Sequence, residues 1–286
     1  MIQMLINTLA SAAIVAPAAV AFTLVYTLFR YANFAVGGFV TLGAFAAWTF
    51  NVPLGWPLWL SGVGAMAVGA VAFAICDRLV FAPLRGRSGG TLLLVSIALS
   101  FVLENILRFV YGAQLRSFDL PLTGPLVVAG IRVTRETIAV VSVSLLAILA
   151  VGAILMLTPI GRALRAVADN PSLANVRGLP VSGVETFGVA IAGAMLGLSG
   201  TLVGVDLAID PNLNWAVTIP VIAAAIVGGL GSPAGAALGA ILIGLAEEMT
   251  VAFLSPTYKG AVGFAVIALV LVLRPQGLLG ARVDRK

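Results

Sequence analysis

Glu104, Glu247 and Glu248 are the residues best placed to do chemistry, because each falls within or near the end of a long apolar run. A charge at membrane depth costs about 2.5–3.5 kcal/mol by insertion scales unless it is paired or hydrated. Arg108 follows Glu104 by four residues, on the same helical face and in the favourable order, so a local ion pair is favoured over a substrate contact. Glu247 and Glu248 project about 100° apart on a helix, so at most one of them faces a given cavity. Asn33 and Asn105 are lesser polar candidates. The chain has no histidine, and no string of carboxylates suggests a proton relay. A single cysteine, Cys76, excludes an internal disulfide and a cysteine metal cluster. We therefore expect no metal site, no catalytic residues and no cofactor bound by this chain; a Ser/His/Asp set is absent.

The elements that must position these groups are membrane helices. Of 286 residues, 61% are hydrophobic and 9% charged, and the mean hydropathy is +1.14. A soluble domain carries about 25% charged residues. Apolar runs of membrane-spanning length, about 20 residues, recur at roughly 4–29, 34–50, 56–81, 91–111, 137–157, 184–205, 217–230, 234–253 and 260–273. The seventh and ninth are short, so eight to nine membrane segments are expected in an all-α polytopic bundle. Residues 1–286 read as one transmembrane domain. The first run lacks the basic n-region of a signal peptide and reads as a permanent span.

Alternating the nine segments places Arg30, Arg78, Arg85, Arg87, Arg162, Arg165, Arg177, Arg274, Arg282, Arg285 and Lys286 on one side. The other side receives Arg116, Arg132, Arg135 and Lys259, with Arg108 near a span end. The first side is therefore expected to be cytoplasmic, with the N-terminus outside. Trp48, Trp56, Trp59, Trp215 and Tyr258 fall at predicted outer turns, as an interfacial belt requires. The same bias accounts for the basic pI without nucleic acid as a partner.

Two glycine-rich elements interrupt the spans: Val36-Gly37-Gly38, and Val227 to Pro233 with Gly228, Gly229 and Gly231. They read either as broken helices lining a pathway or as close backbone packing and a loop. Gly193, Gly197, Gly200 and Gly204 line one helix face, and Gly231, Gly235 and Gly239 repeat the device. Packing within the subunit is favoured over a subunit interface for the first set.

The inner loop at about 158–182 carries the clearest local code. Asn170 suits an N-cap, Pro171 the first helical position and Gly178 the stop, with Pro180 beyond. Leu173 and Val176 share one face of the resulting two-turn helix. That patch marks either a partner site or a surface lying on the membrane or the span ends.

These residues resemble the inner-membrane permeases of branched-chain amino acid ABC transporters, and within them the shorter of two paired permease subunits. The resemblance runs through Asn33-Phe34-Ala35, Gly161-Arg162-Ala163-Leu164-Arg165-Ala166, the Leu173-Ala174 to Gly178 stretch, Gly228 to Ala236, Leu245-Ala246-Glu247, Tyr258-Lys259 and Arg274 to Gly280. There are departures: Val36-Gly37 stands where the family usually has His-Gly, Glu104 where Gln is frequent, and the stretch Asp206 to Trp215 is more acidic than expected.

The resemblance implies an importer permease of the bacterial inner membrane. Its partners would be a homologous second permease subunit, two cytoplasmic ATPase subunits and a periplasmic substrate-binding protein. The coupling loop would comprise Gly161, Arg162, Arg165, Asn170, Leu173, Ala174, Val176, Arg177 and Gly178. Asn33, Phe34, Gly37, Gly38, Glu104, Gly228, Gly229, Gly231 and Glu247 are candidate pathway or broken-helix residues. The chain has no G-x-x-x-x-G-K-[ST] loop, and only Lys259 and Lys286 exist to supply its lysine, so ATP is expected to be hydrolysed by partner subunits. The cargo is expected to be branched-chain amino acids or related small polar solutes. A secondary transporter or channel is the alternative.

Overall fold

The computed structural model describes residues 2–120, 126–128, 131–274 and 276–280. The first apolar run is a single helix, α1 (Ile2–Phe29), of 28 residues with Pro17 inside it. At 1.5 Å per residue it is about 42 Å long, more than the roughly 30 Å hydrocarbon core needs. It stops at Arg30, the one non-glycine residue with a positive φ (57°) among the described residues.

Helix α2 (Val36–Asn51) is only 16 residues long. It begins at Val36, so Gly37 and Gly38 lie in its first turn; the interruption expected at these glycines falls instead at residues 30–35. Helix α3 (Leu58–Cys76) continues through a π-helical turn, Asp77–Phe81, and a 3-10 turn, Ala82–Leu84. Helix α4 (Gly89–Tyr111) opens on Ser88, whose side chain accepts from the Thr91 amide, and is closed by Gly112 at φ 79°. The only strands among the described residues, β1 (Leu126–Val128) and β2 (Ile131–Val133), form a small antiparallel hairpin.

Helix α5 (Arg135–Leu157) is followed by two helices where a loop with one helix was expected. Thr158 caps α6 (Pro159–Asp169) and Asn170 caps α7 (Pro171–Val176), each with proline in the first turn. The Asn170–Gly178 expectation thus stands, and the Thr158-Pro159 pair is a second start signal of the same kind.

Helices α8 (Val181–Asp206), α9 (Leu213–Gly228), α10 (Pro233–Phe253) and α11 (Lys259–Leu273) complete the bundle. Among the described residues seven helices are long and apolar enough to cross a membrane; α2 and α9 are short at 16 residues each. Apart from α6 and α7, successive helices reverse direction. Arg30, Arg85, α6 and α7 gather at one end, and the hairpin, Trp56 and Lys259 at the other. Arg282, Arg285 and Lys286 lie outside the described residues.

The most buried long helices are α1 and α8, while α5 and α11 lie mostly on the outside. Lipid gives little hydrophobic drive between helices, so close approach for dispersion contacts holds them together. Small residues permit it. A Cβ on Gly193 or Gly197 would overlap the backbone of α3, and one on Gly200 the backbone of α2; Gly43 of α2 meets Gly197. Gly204 faces the rings and branches of Phe118 and Ile209. The α8 glycines are therefore packing contacts within the subunit. Gly235 and Gly239 similarly admit α9. Gly231 does not belong to that stripe: it precedes α10, at φ 100°.

Candidate functional site

A buried polar seam runs through this apolar bundle along one face of α4. Ser96, Ser100, Glu104 and Arg108 recur every fourth residue, which aligns them on a helix. Ser96 Oγ accepts from the Phe34 amide at 2.9 Å and donates to the Leu93 carbonyl at 2.7 Å. Ser100 Oγ donates to Asn214 Oδ1 at 3.0 Å. Thr218 Oγ1 lies 2.7 Å from the Asn214 carbonyl and 3.2 Å from Asn214 Oδ1.

Gly37 makes this junction possible, since a Cβ there would overlap Thr218 and the Asn214 carbonyl. The short helices α2 and α9 thus meet face to face beside α4. Asn214 is fully buried and its Nδ2 has no partner among the described residues. An unpaired buried amide costs about 1–3 kcal/mol.

Toward the hairpin end the seam ends in charge. Glu104 is buried; its Oε1 accepts from Arg108 Nη2 at 3.0 Å and its Oε2 accepts a hydrogen bond from Trp215 Nε1 at 3.0 Å. Arg108 also donates to Asn212 Oδ1 at 2.9 Å. The expected Glu104–Arg108 pair is present, with Trp215 as a third partner. Ser96, Ser100, Asn214 and Thr218 were missed from sequence; the four-residue hydroxyl spacing that leads into Glu104 was the available signal.

Of the other candidates, Asn33 is buried in a structural role. Its Oδ1 accepts from the Ala35 amide at 2.9 Å and its Nδ2 lies 3.4 Å from the Tyr31 hydroxyl. Burial, and then the Asp77 carboxylate, holds that phenol well above its usual range, so Tyr31 stays neutral. Phe34 is half-buried. Gly38 packs on Leu103. Asn105 is exposed, donating to the Phe101 carbonyl at 2.8 Å. Glu247 is buried and paired with Lys259 at 3.3 Å, joining α10 to α11 near the hairpin end; Glu248 is half-buried.

Gly228 and Gly229 form the end of α9, and the C-terminal tail closes it: the Leu278 and Leu279 amides donate to the Val227 and Gly228 carbonyls, each at 2.9 Å. The Val227–Pro233 element is therefore a sealed helix end followed by a turn.

At the arginine-rich end, α6 and α7 sit on a separate small core of Leu28, Leu164, Val167, Ala168, Ala174 and Val184. Gly161 is buried against the backbone of Ile154 and Leu155. Arg165 donates to the Leu155 carbonyl, whereas Arg162 and Arg177 are exposed. One face of α7 thus lies on the span ends through Ala174. Its other face is free: Leu173 is 53% exposed and Val176 85%. Gly178 ends this element at φ 81°.

Beside it, Arg85 bridges Asp77 at 2.6 Å and Glu185 at 2.5 Å, with its guanidinium 4.0 Å from the Phe29 ring centre. This clamp ties α3 to the start of α8, the helix that leaves α7. Sequence reasoning used Arg85 only for orientation and overlooked both carboxylates.

The bundle is that of a polytopic membrane protein, with a buried polar seam and a short helix held outside its spans. The chain matches the branched-chain amino acid transport system permease component family over residues 4–271, and it belongs to that family. It is 28% identical to the high-affinity branched-chain amino acid transport system permease protein LivH of Escherichia coli, over 98% of this chain and 95% of that one. The corresponding protein BraD of Pseudomonas aeruginosa is 28% identical with the same coverage. The guanosine ABC transporter permease protein NupQ of Bacillus subtilis is 27% identical over 79% of this chain and 76% of its own. Among solved structures, PsaBC from Streptococcus pneumoniae in complex with Fab superposes with a TM-score of 0.50 at 11% identity, covering 94% and 91% of the two chains, which shows the fold alone. The protein is a permease subunit of an ABC importer, located in the inner membrane.

Proposed function

We propose that this subunit forms half of a translocation pathway for branched-chain amino acids or a related small polar solute. A homologous second permease subunit supplies the other half, two cytoplasmic ATPase subunits drive it, and a periplasmic binding protein delivers the cargo. The arginine-rich end faces the cytoplasm. The observation that carries the reading is α7: a capped helix seated on the span ends through Ala174 while Leu173 and Val176 stand free. Sinking Leu173 into a groove of an ATPase stabilises the complex by about 1.5–3 kcal/mol, and Arg162 and Arg177 supply charge at the rim. The cargo reading is supported by LivH and BraD, while the guanosine ABC transporter permease protein NupQ keeps other small solutes in view.

The test is Leu173→Asp in the assembled transporter. Membrane insertion is expected to persist, ATPase retention to fall at least about tenfold, consistent with the lost burial, and cargo-stimulated hydrolysis to be lost. Normal retention and normal stimulation would overturn the coupling role and favour a helix resting on lipid.

A further inference from the structure

A groove of about 500 Å³ lies between α1, α5, α6 and the turn before α10. Its walls include Val20 and Leu24 of α1, Gly152 and Met156 of α5, and Pro233. The lining is almost wholly apolar; Thr27 has its hydroxyl satisfied by the Thr23 carbonyl at 2.7 Å. Met156 and Leu157 on the α5 wall are 73% and 77% exposed, so the groove opens sideways at the bundle surface rather than into the seam. From Val20 to Leu28 it follows α1 for about 12 Å, close to the roughly 15 Å depth of one hydrocarbon leaflet.

The mouth is cationic. Arg165 lines it, and Arg30 Nη2 reaches the carbonyl of Ala168, another lining residue, at 3.4 Å. Among the described residues neither guanidinium has a carboxylate within 4.0 Å, and Asp169 pairs with neither. Both use backbone carbonyls only. An apolar slot one leaflet deep, with two uncompensated arginines where it meets the headgroups, suits an anionic lipid.

We propose that this groove binds one anionic phospholipid of the leaflet at the arginine-rich end. An acyl chain lies between α1 and α5, and the headgroup phosphate sits at Arg30 and Arg165. The site rests on the membrane reading and not on ATPase coupling, so its failure leaves the coupling assignment intact.

The full chain, with any subunits that purify with it, is reconstituted in nanodiscs of equal phosphatidylglycerol and phosphatidylcholine with matched acyl chains. Lipid retained after transfer to mild detergent is then read by native mass spectrometry. Phosphatidylglycerol is expected to be retained several-fold over phosphatidylcholine. Arg30→Gln combined with Arg165→Gln brings the ratio to about one. Gly152→Leu, where an added Cβ meets nothing within 4 Å, fills the slot and removes both lipids, with the melting temperature showing that the bundle is intact. Equal retention by the native chain, an unchanged ratio in the double variant, or full lipid in a folded Gly152→Leu protein overturns the site. Efficient cross-linking of Ala153→Cys to a second permease subunit overturns it too, because protein then occupies the groove.

Discussion

The Leu279 amide donates to the Gly228 carbonyl at 2.9 Å, so the C-terminal tail, 51 positions further along the chain, closes the end of α9. The last carbonyls of a helix have no partners within it, and here the tail amides supply two of them. Gly229, at φ 108°, packs on Gly277 and Gly280 with no room for a side chain. The Gly-Gly-Leu-Gly-Ser-Pro and Pro-Gln-Gly-Leu-Leu-Gly elements of the sequence are two halves of one contact.

Gly229→Ala is predicted to break that seal. The strained backbone costs about 1–3 kcal/mol, and overlap with the tail adds to it. The melting temperature in detergent should fall, and a protease should cut the tail faster; an unchanged melting curve and digestion pattern would show the seal to be dispensable.

Arg85→Ala leaves Asp77 and Glu185 facing each other without their cation. Removing one partner of a buried pair costs about 3–5 kcal/mol, and the lower end applies here because the Arg85 side chain is 26% exposed. Adding Asp77→Asn and Glu185→Gln to Arg85→Ala should recover most of the loss. Denaturation of the three-residue set checks this, and no recovery would mean that the Arg85 stacking on Phe29 carries the clamp.

Gly197 and Gly260 are both helical glycines with opposite surroundings. Gly197→Leu drives a side chain into α3 and α2 and should destabilise the bundle by about 3 kcal/mol. Gly260→Ala meets nothing within 4 Å and should be neutral or stabilising by up to about 1 kcal/mol. Thermal melts of the two variants side by side decide it.

The orientation predicts that cysteine at the exposed position 87 is protected from a membrane-impermeant maleimide in intact cells, while cysteine at position 119 is labelled. The reverse pattern would invert the topology and place α7 outside.

Much of the architecture was legible because it is written in local terms. Each apolar run became a helix within a few residues, since length and hydropathy alone decide whether a segment can span. Asn170, Pro171 and Gly178 announced α7 because capping involves neighbours a few residues apart. Glu104 and Arg108 announced their pair because four residues is one helical turn.

The seam, the clamp and the tail seal needed the tertiary structure. Ser100 and Asn214 are 114 residues apart, and Arg85 and Glu185 are 100 apart. A serine inside an apolar helix can as easily bond its own helix's carbonyls, so its type does not reveal a distant partner. Gly37 and Gly231 looked like breaks of one kind, yet Gly37 is a helical contact with α9 and Gly231 a turn residue. By itself the sequence determined which segments form apolar helices and where α7 starts and stops, because those depend on transfer energy and short-range hydrogen bonds. Which helix faces meet, and so which polar groups are buried together, was decided only by packing, where backbone approach at a few glycines selects one arrangement of otherwise interchangeable apolar surfaces.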